Sequence, residues 1–501
     1  MTMTLSEYVE NLKGKRIGVI GLGISNMPLI RLLSFAGCNV TACDARTVEK
    51  LGMEALSLTG MGVRLRLGPD YLENLDFDVI FRTPGLMPFE PHLQAAADRG
   101  AVITSEMEAF FQVCPCKIIA VTGSDGKTTT TTIISELLKA AGRTVHLGGN
   151  IGHPLLCDAP MMKKEDVAVV ELSSFQLHSM HCRPNVSVIT NISPNHLDKH
   201  KDYDDYITAK KSIFLSQTSE DALILNADDA LVSAFENEAK GEVRYFGMMN
   251  DMPEACSGTA VTEGPCHACT DAETNSKATA AVNDGVYCVG IRGSAFRRII
   301  RVENGETSLI MPSDDIYLPG EHNIKNFIAA FAATAGLVDN KTCAAVAGSF
   351  KGVEHRLETV RKFKGVTYIN DSIGSSPTRT IAGLKALKKK PIVILGGYDK
   401  LIPFDELGTE VCLRAKAAVL TGATAEKIDT AIRGSAEYEK AVENGFKIIL
   451  EPDFDLAVSV AAEAAEEGDI VLLSPACASF DRFKNFEERG NHFKALVSAM
   501  E

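Results

Sequence analysis

The sequence predicts an α/β protein built from three domains, and three observations carry that expectation. The chain has 501 residues, too many for one hydrophobic core and a natural length for three. Short apolar runs of strand length alternate with helical stretches from end to end, the pattern of parallel strands buried on both faces. Two of those runs break into glycine turns that open helices, at Gly21-Leu22-Gly23 and Gly123-Ser124-Asp125-Gly126, as happens where a parallel sheet offers a loop to a ligand.

Composition narrows the function classes. Apolar content of 45% and charged content of 23% are those of a globular protein. A net charge of -14 with no basic arm or stripe argues against a nucleic-acid partner, while leaving room for a basic pocket that takes a phosphorylated small molecule. The first 15 residues lack the apolar core of a signal peptide, and no run approaches the roughly 18 apolar residues of a membrane span. A cytoplasmic monomer without membrane insertion is the expectation. The 13 cysteines are scattered through apparent strands and helices, as reduced thiols would be. Cys256, Cys266 and Cys269, with His267 among them, form a single CxxC without a second pair, for which free surface thiols are the plainer reading.

In the first domain, 1–113, the strand pattern 16–20 leads into Gly21, Gly23 and Ser25, then a helical pattern up to Gly37, then a strand 39–43 that ends in Asp44. Asp44 stands where a dinucleotide fold places its ribose-binding acid. Asn26 replaces the third glycine of that fingerprint, which favours a Rossmann-like domain gripping another nucleotide over one binding NAD. Strands at 63–67, 78–82 and 101–104 continue the alternation, with the turn Thr83-Pro84-Gly85 after the second.

The central domain, 114–353, holds the stretch 118–132, IIAVTGSDGKTTTTT. It reads as a strand, a phosphate-cradling loop and a helix start, whose backbone N–H groups and positive dipole end suit a polyphosphate. Lys127 would bridge the outer phosphates and Thr128 would hold a magnesium ion. A Walker A loop would place its first glycine at Val121, whereas here it stands at Gly123; an ordinary strand-to-helix turn is the plain alternative. A helix over 127–141 and strands at 144–147, 167–172, 186–192 and 222–226 follow. The pattern fails over 248–281, an insertion or long loop, and resumes with strands at 285–291 and 298–302 and a helix over 323–335. The third domain, 354–501, has strands at 366–370, 392–395, 417–421, 447–450 and 470–474, a second Rossmann-like alternation.

Ligands of a parallel sheet collect outside the carboxyl ends of its strands. Glu171 closes the run VAVVE, and His196 and Asp198 lie in NISPNHLDKH just after another strand. All three fall on the rim that carries Lys127.

These residues sit in a larger set. TGSDGKTTT, GGNIG at 148–152, ELSSFQL at 171–177, NISPNHLDKH, HNIKN at 322–326, EHRLE at 354–358, NDS at 370–372 and LLSPACASFDRFKNFEERGNHF at 472–493 resemble Mur ligase motifs, in order and through all three domains. The resemblance implies a Rossmann-like UDP-binding domain, a central P-loop ATPase-like domain with a parallel sheet, and a C-terminal Rossmann-like amino-acid-binding domain. It also implies an ATP-dependent amide ligase of peptidoglycan precursor synthesis, which joins D-glutamate to UDP-N-acetylmuramoyl-L-alanine through an acyl phosphate.

Carried over residue by residue, the likeness gives Gly123, Ser124, Asp125, Gly126, Lys127, Thr128 and Thr129 to ATP, with Asn323 and Asn326 at adenine and Arg356 and Asp371 near phosphates and ribose. Two Mg2+ ions are implied, with Thr128 and Glu171 at the first and His196 at the second. Lys210 matches a lysine that the family converts with CO2 into a metal-binding carbamate. Lys211 adjoins it, and Tyr206, four residues earlier, favours Lys210. The implied catalytic residues are thus Lys127, His196 and Lys210. Asn150, Ser173 and Gln176 match contacts at the muramoyl-alanine end, Asp44 and Arg46 the uracil positions, and Gly21, Gly23 and Ser25 the diphosphate turn. Lys400, Ser479 and Phe486 match the amino-acid site, whereas Ile373 stands where many relatives carry a lysine after NDS.

Other readings stay open. A ligase adding another amino acid and a folylpolyglutamate ligase share the family, while a dinucleotide-dependent oxidoreductase would read Gly21 to Asp44 as its site. SPACASFDRFKNFEERG favours D-glutamate, and Asn26 with the second nucleotide loop weighs against the oxidoreductase. Nucleotide contacts divided between Lys127 and Arg356 or Asp371 lead one to expect domain closure.

Overall fold

The computed structural model describes residues 3–23, 25–195, 199–250, 283–290, 296–399 and 402–500. Most of the expected insertion, with Cys256, Cys266, His267 and Cys269, lies outside them, as do His196, Asp198 and Lys400. The chain divides into two compact units, Met1–Phe350 and Lys351–Glu501.

The first unit carries two sheets. One consists of β1 (Arg16–Ile20), β2 (Asn39–Asp44), β3 (Arg64–Leu67), β4 (Val79–Phe81) and β5 (Val102–Thr104), all parallel in the order β3-β2-β1-β4-β5. The order turns back between β1 and β4, so the carboxyl ends of those two strands flank a crevice. Gly21 follows β1 there with φ +87.

The other sheet runs through β6 (Lys117–Thr122), β7 (Val145–Gly149), β8 (Val167–Glu171), β9 (Val186–Ile189), β10 (Ala222–Asn226), β11 (Glu242–Met249), β12 (Gly285–Gly290), β13 (Arg297–Glu303) and β14 (Glu306–Pro312). Its order is β14-β13-β12-β11-β10-β9-β6-β8-β7. Strands β6 to β12 are parallel, and β13 and β14 extend the sheet antiparallel. The strand that bears the glycine loop, β6, thus lies inside the sheet, and each of its apolar residues is buried.

β11 and β14 go beyond the strands expected from the sequence. In β11 the polar residues Glu242 and Arg244 and the glycine at 247 interrupt the apolar run. In β14 only Ile310 and Met311 are buried. A search for strands buried on both faces passes over strands with one wet face.

One hydrophobic core joins the two sheets. It runs from Leu29, Leu33 and Phe81 through Met107 and Phe110 of the helix Glu106–Val113 to Leu155, Leu156, Ala120 and Val170. The expected division at 113/114 therefore marks a change of sheet inside one compact unit. In this core Glu106 is 5% exposed and accepts the Leu156 N–H at 2.9 Å; burial pushes its carboxyl up to about 7.

The second unit holds β15 (Glu358–Phe363), β16 (Val366–Asn370), β17 (Ile392–Gly396), β18 (Ala417–Thr421), β19 (Lys447–Leu450) and β20 (Ile470–Leu473), in the order β15-β16-β20-β17-β18-β19. All pairs are parallel except β15 with β16. β15 also went unanticipated, since none of its residues is fully buried. Helices cover both faces, one over Val393, Leu395 and Leu420, the other over Ile394, Val419 and Val471.

Glu106 yields a stability prediction. Its folded pKa lies above the unfolded value, so ionisation opposes folding: the penalty is absent well below the unfolded pKa and complete above about pH 7. Glu106→Gln removes an ionisation penalty of up to about 3 kcal/mol. Urea denaturation should show the variant gaining on the parent as pH rises from about 5 to about 8. A difference independent of pH would contradict this account.

Candidate active site

The loop after β6 is shaped by two glycines and held from below. Gly123 has φ +149 and Gly126 φ +78, a region that side chains rarely adopt. A Cβ at Gly123 would collide with Thr190 Oγ1, and one at Gly126 with Asn326 Oδ1. The Ser124 N–H donates to Asn191 O at 2.8 Å, and the Asp125 N–H to Asn191 Oδ1 at 2.9 Å. Thr190 Oγ1 donates to Asp125 O at 2.6 Å. Ser124 Oγ turns inward to Tyr206 Oη at 2.8 Å and takes the Ser193 N–H at 2.9 Å, so its hydroxyl serves the loop's own shape. The loop opens the helix Lys127–Ala140, whose first-turn N–H groups lack intrahelical acceptors.

Glu171, at the end of β8, is 1% exposed. Its Oε2 accepts from Thr128 Oγ1 at 2.7 Å and its Oε1 from Asn150 Nδ2 at 2.8 Å. These hard oxygen donors fit Mg2+. Lys127 Nζ folds back on the loop, donating to Gly123 O and Ser124 O at 2.9 Å each. Thr129 is buried. Asn326 packs against Gly126 and accepts from Thr130 Oγ1 at 3.4 Å, whereas Asn323 donates to Pro319 O at 2.8 Å at the start of the same helix, Glu321–Ala333.

Lys210 is 1% exposed. Its Nζ donates to Gly123 O at 2.7 Å and lies 4.7 Å from the centre of the Tyr206 ring. Burial, and next the positive charge of Lys127, push its amine well below the usual lysine range. Lys211 points the other way and pairs with Glu238. Of the two adjacent lysines, Lys210 is the one inside.

The remaining residues of the first unit sit on two strand ends. Ser173 and Gln176 cap the short helix Ser174–Leu177 reciprocally: Gln176 Oε1 accepts from the Ser173 N–H at 2.9 Å, and Ser173 Oγ from the Gln176 N–H at 3.3 Å. At the end of β2, Asp44 accepts the Leu22 N–H at 2.7 Å and Arg46 Nε at 2.9 Å. Asn26, in the place of the third glycine, is 2% exposed and donates to Ile20 O and Gly21 O at 2.9 and 3.0 Å. Ser25 caps the next helix without a side-chain hydrogen bond, and Gly23 has open space where a Cβ would be.

The second unit places Asp371 at 4% exposure, accepting Ser474 Oγ at 2.7 Å; burial pushes its carboxyl up to about 6. Arg356 is exposed, Ile373 half-buried and Ser479 buried. The Phe486 ring meets His355 edge-on at 6.1 Å.

Two buried arginines escaped the sequence reading. Arg82 is 1% exposed and joins the end of β4 to the Ser174–Leu177 helix, donating to Phe175 O at 2.8 Å, Leu86 O at 3.0 Å and Ser179 Oγ at 2.8 Å. Arg489 donates to Ser372 O at 2.9 Å and Cys477 O at 3.1 Å, fastening NDS to SPACAS. Burial drops each guanidinium to about 10. Arg489 lies within the motif at 472–493; Arg82 gives no sequence signal beyond its place before the Thr83-Pro84-Gly85 turn.

A glycine loop between a buried parallel strand and a helix, with a threonine hydroxyl, a buried carboxylate and two lysines gathered on it, is the arrangement with which a class of α/β proteins holds nucleotide phosphates. Comparison with known proteins narrows the class. The Mur ligase middle domain matches residues 121–334 and the Mur ligase, glutamate ligase domain residues 355–477. The UDP-N-acetylmuramoylalanine--D-glutamate ligase of Acetivibrio thermocellus is 45% identical over 100% of both chains. That of Clostridium botulinum is 43% identical, also over 100% of both. The crystal structure of UDP-N-acetylmuramate-alanine ligase MurC from Thermotoga maritima shares the fold with a TM-score of 0.53 and 17% identity, covering 97% of this chain and 100% of that one. MurF from Acinetobacter baumannii does so with a TM-score of 0.54 and 15% identity, over 99% and 98%. The chain belongs to the Mur ligase family.

The loop geometry sets an expectation for Gly126→Ala. A side chain at φ +78 costs about 1–2 kcal/mol, and the new methyl must also displace Asn326 Oδ1. Denaturation should show a loss of at least that size, and titration with ATP a large drop in affinity. Unaltered stability and affinity would contradict the loop's dependence on glycine.

Proposed function

We propose that the chain is an ATP-dependent ligase that joins D-glutamate to UDP-N-acetylmuramoyl-L-alanine in peptidoglycan precursor synthesis. The observation that carries this reading is the full-length likeness to ligases of that name. The placement of Lys127, Thr128, Glu171 and Lys210 around one loop supports it. In this reading residues 1–113 bind the UDP moiety, 114–353 bind ATP and 354–501 bind the incoming amino acid.

The chemistry suits these groups. The substrate's terminal carboxylate attacks the γ-phosphorus of ATP, ADP departs, and an acyl phosphate forms. The amine of D-glutamate then adds to the acyl carbon, loses a proton, and phosphate leaves as the amide forms. Lys127 offsets negative charge on the phosphoryl oxygens, leaving the carbonyls of Gly123 and Ser124 that it contacts. Thr128 and Glu171 would hold Mg2+, with His196 and a modified Lys210 at a second ion; when bound, the ions neutralise phosphate charge. Asn323, Asn326, Arg356 and Asp371 are assigned to ATP, and Asp44, Arg46 and the Gly21 turn to UDP. Asn150, Ser173 and Gln176 are assigned to the muramoyl-alanine end.

The burial of Lys210 supports carbamate formation there. A neutral amine is the nucleophile that CO2 requires, and Lys210 is held toward that state. A nitrogen–carbon bond forms, one N–H proton leaves, and a cation position becomes an anion beside Lys127. For D-glutamate, Ile373 supplies no charge, so Lys400, Ser479, Phe486 and backbone donors are assigned to it. Among the described residues no helix is long and apolar enough to cross a membrane.

Two experiments test the reading. The purified protein should release phosphate from ATP only when both UDP-N-acetylmuramoyl-L-alanine and D-glutamate are present; equal turnover with L-lysine or meso-diaminopimelate would overturn the assignment. Lys210→Ala should lose nearly all activity and recover part of it with added short carboxylates. Full activity in that variant would remove Lys210 from the mechanism.

A further inference from the structure

Beside the loop, but outside every role assigned above, three side chains from separate segments converge. His178 follows the helix Ser174–Leu177, His200 stands in the connection after β9, and Asp205 lies in the first turn of the helix Tyr203–Lys211. His178 Nε2 is 2.9 Å from Asp205 Oδ1, and His200 Nδ1 is 2.8 Å from Asp205 Oδ2. One ligand atom from each lies within 4.8 Å of the other two. We propose that this trio is a binding site for one borderline divalent cation of the zinc class.

The donor set is the first reason. Two imidazoles and one carboxylate, with room for water at a fourth position, is a set such cations take, whereas Mg2+ prefers oxygens alone. The side chain of His200 is fully buried, while those of His178 and Asp205 are 16% and 17% exposed. The trio is therefore closed on the His200 side and reaches solvent through His178 and Asp205.

Orientation is the second reason. His200 Nε2 lies 3.0 Å from Ser174 Oγ, a hydroxyl that can donate or accept. Without a cation, His200 donates Nδ1–H to Asp205 and accepts from Ser174. With one, the proton moves to Nε2, Ser174 accepts it, and Nδ1 presents its lone pair to the ion. Outer partners of this kind fix metal-binding imidazoles. The His200 ring is stacked on Phe175 at 5.5 Å and meets the edge of Tyr206 at 5.2 Å, so its direction is set by packing. The nearby Lys201 amine lies over the Phe89 ring, 5.1 Å from its centre.

An ion here ties the Ser174–Leu177 helix to the helix that carries Tyr206 and Lys210, and it displaces two N–H···O contacts. Binding should therefore stabilise the fold. The inference does not rest on the ligase reading.

The test is titration of the full chain, stripped with chelator, against Co2+ followed by visible absorption and against Zn2+ followed by thermal unfolding. The parent should bind one more equivalent of Co2+ than His178→Ala or Asp205→Asn, with ligand-field bands of nitrogen and oxygen coordination. Zn2+ should raise the Tm of the parent more than that of either variant. Because cysteines also bind both metals, the difference spectrum decides. If parent and variants bind equally, or if the difference consists of thiolate charge-transfer bands, the trio is not a metal site.

Discussion

The site depends on an amine buried against a carbonyl. Lys210 Nζ reaches Gly123 O beneath the loop, and among the described residues it has no ion pair. Holding a full positive charge there would cost far more than a hydrogen bond returns, so the amine is driven toward neutrality. The loop that presents Gly123 O has φ +149 at that residue, and the Thr190, Asn191 and Tyr206 contacts hold its neighbours. Loop shape and lysine chemistry are one constraint.

The same device recurs as scaffolding. Arg82 and Arg489 are buried cations whose bonds go to backbone carbonyls and serine oxygens. A guanidinium presents five donors in a rigid fork, so one such residue can fasten segments far apart in sequence without a counter-ion. Arg82 links β4 to the helix that Ser173 caps, which is how the crevice of the first sheet and the rim of the second share a frame. Arg489 does this for Ser372 and Cys477 in the second unit.

Much of the fold was legible because strands buried on both faces announce themselves: β8 reads VAVVE and β17 IVILG. Strands with an exposed face, β14 and β15, did not, and polar residues hid β11. Motif likeness gave Lys127, Thr128, Glu171 and Lys210, and the structure brings these four to one loop. What composition and spacing withheld was direction. Lys210 and Lys211 look alike in sequence, yet one faces the loop and the other Glu238. Ser124 is in the loop, yet its hydroxyl faces Tyr206. His178, His200 and Asp205 are 22 and 5 residues apart in sequence, and only the packing of three segments makes them a group.

We propose that burial holds the Lys210 amine toward its neutral form and that it becomes a carbamate. Carbon-13 NMR of the protein equilibrated with 13C-labelled bicarbonate tests this directly. A carbamate carbonyl resonance should appear in the parent and be missing from Lys210→Arg. A fully active parent without that resonance, or a variant that retains it, would contradict the claim.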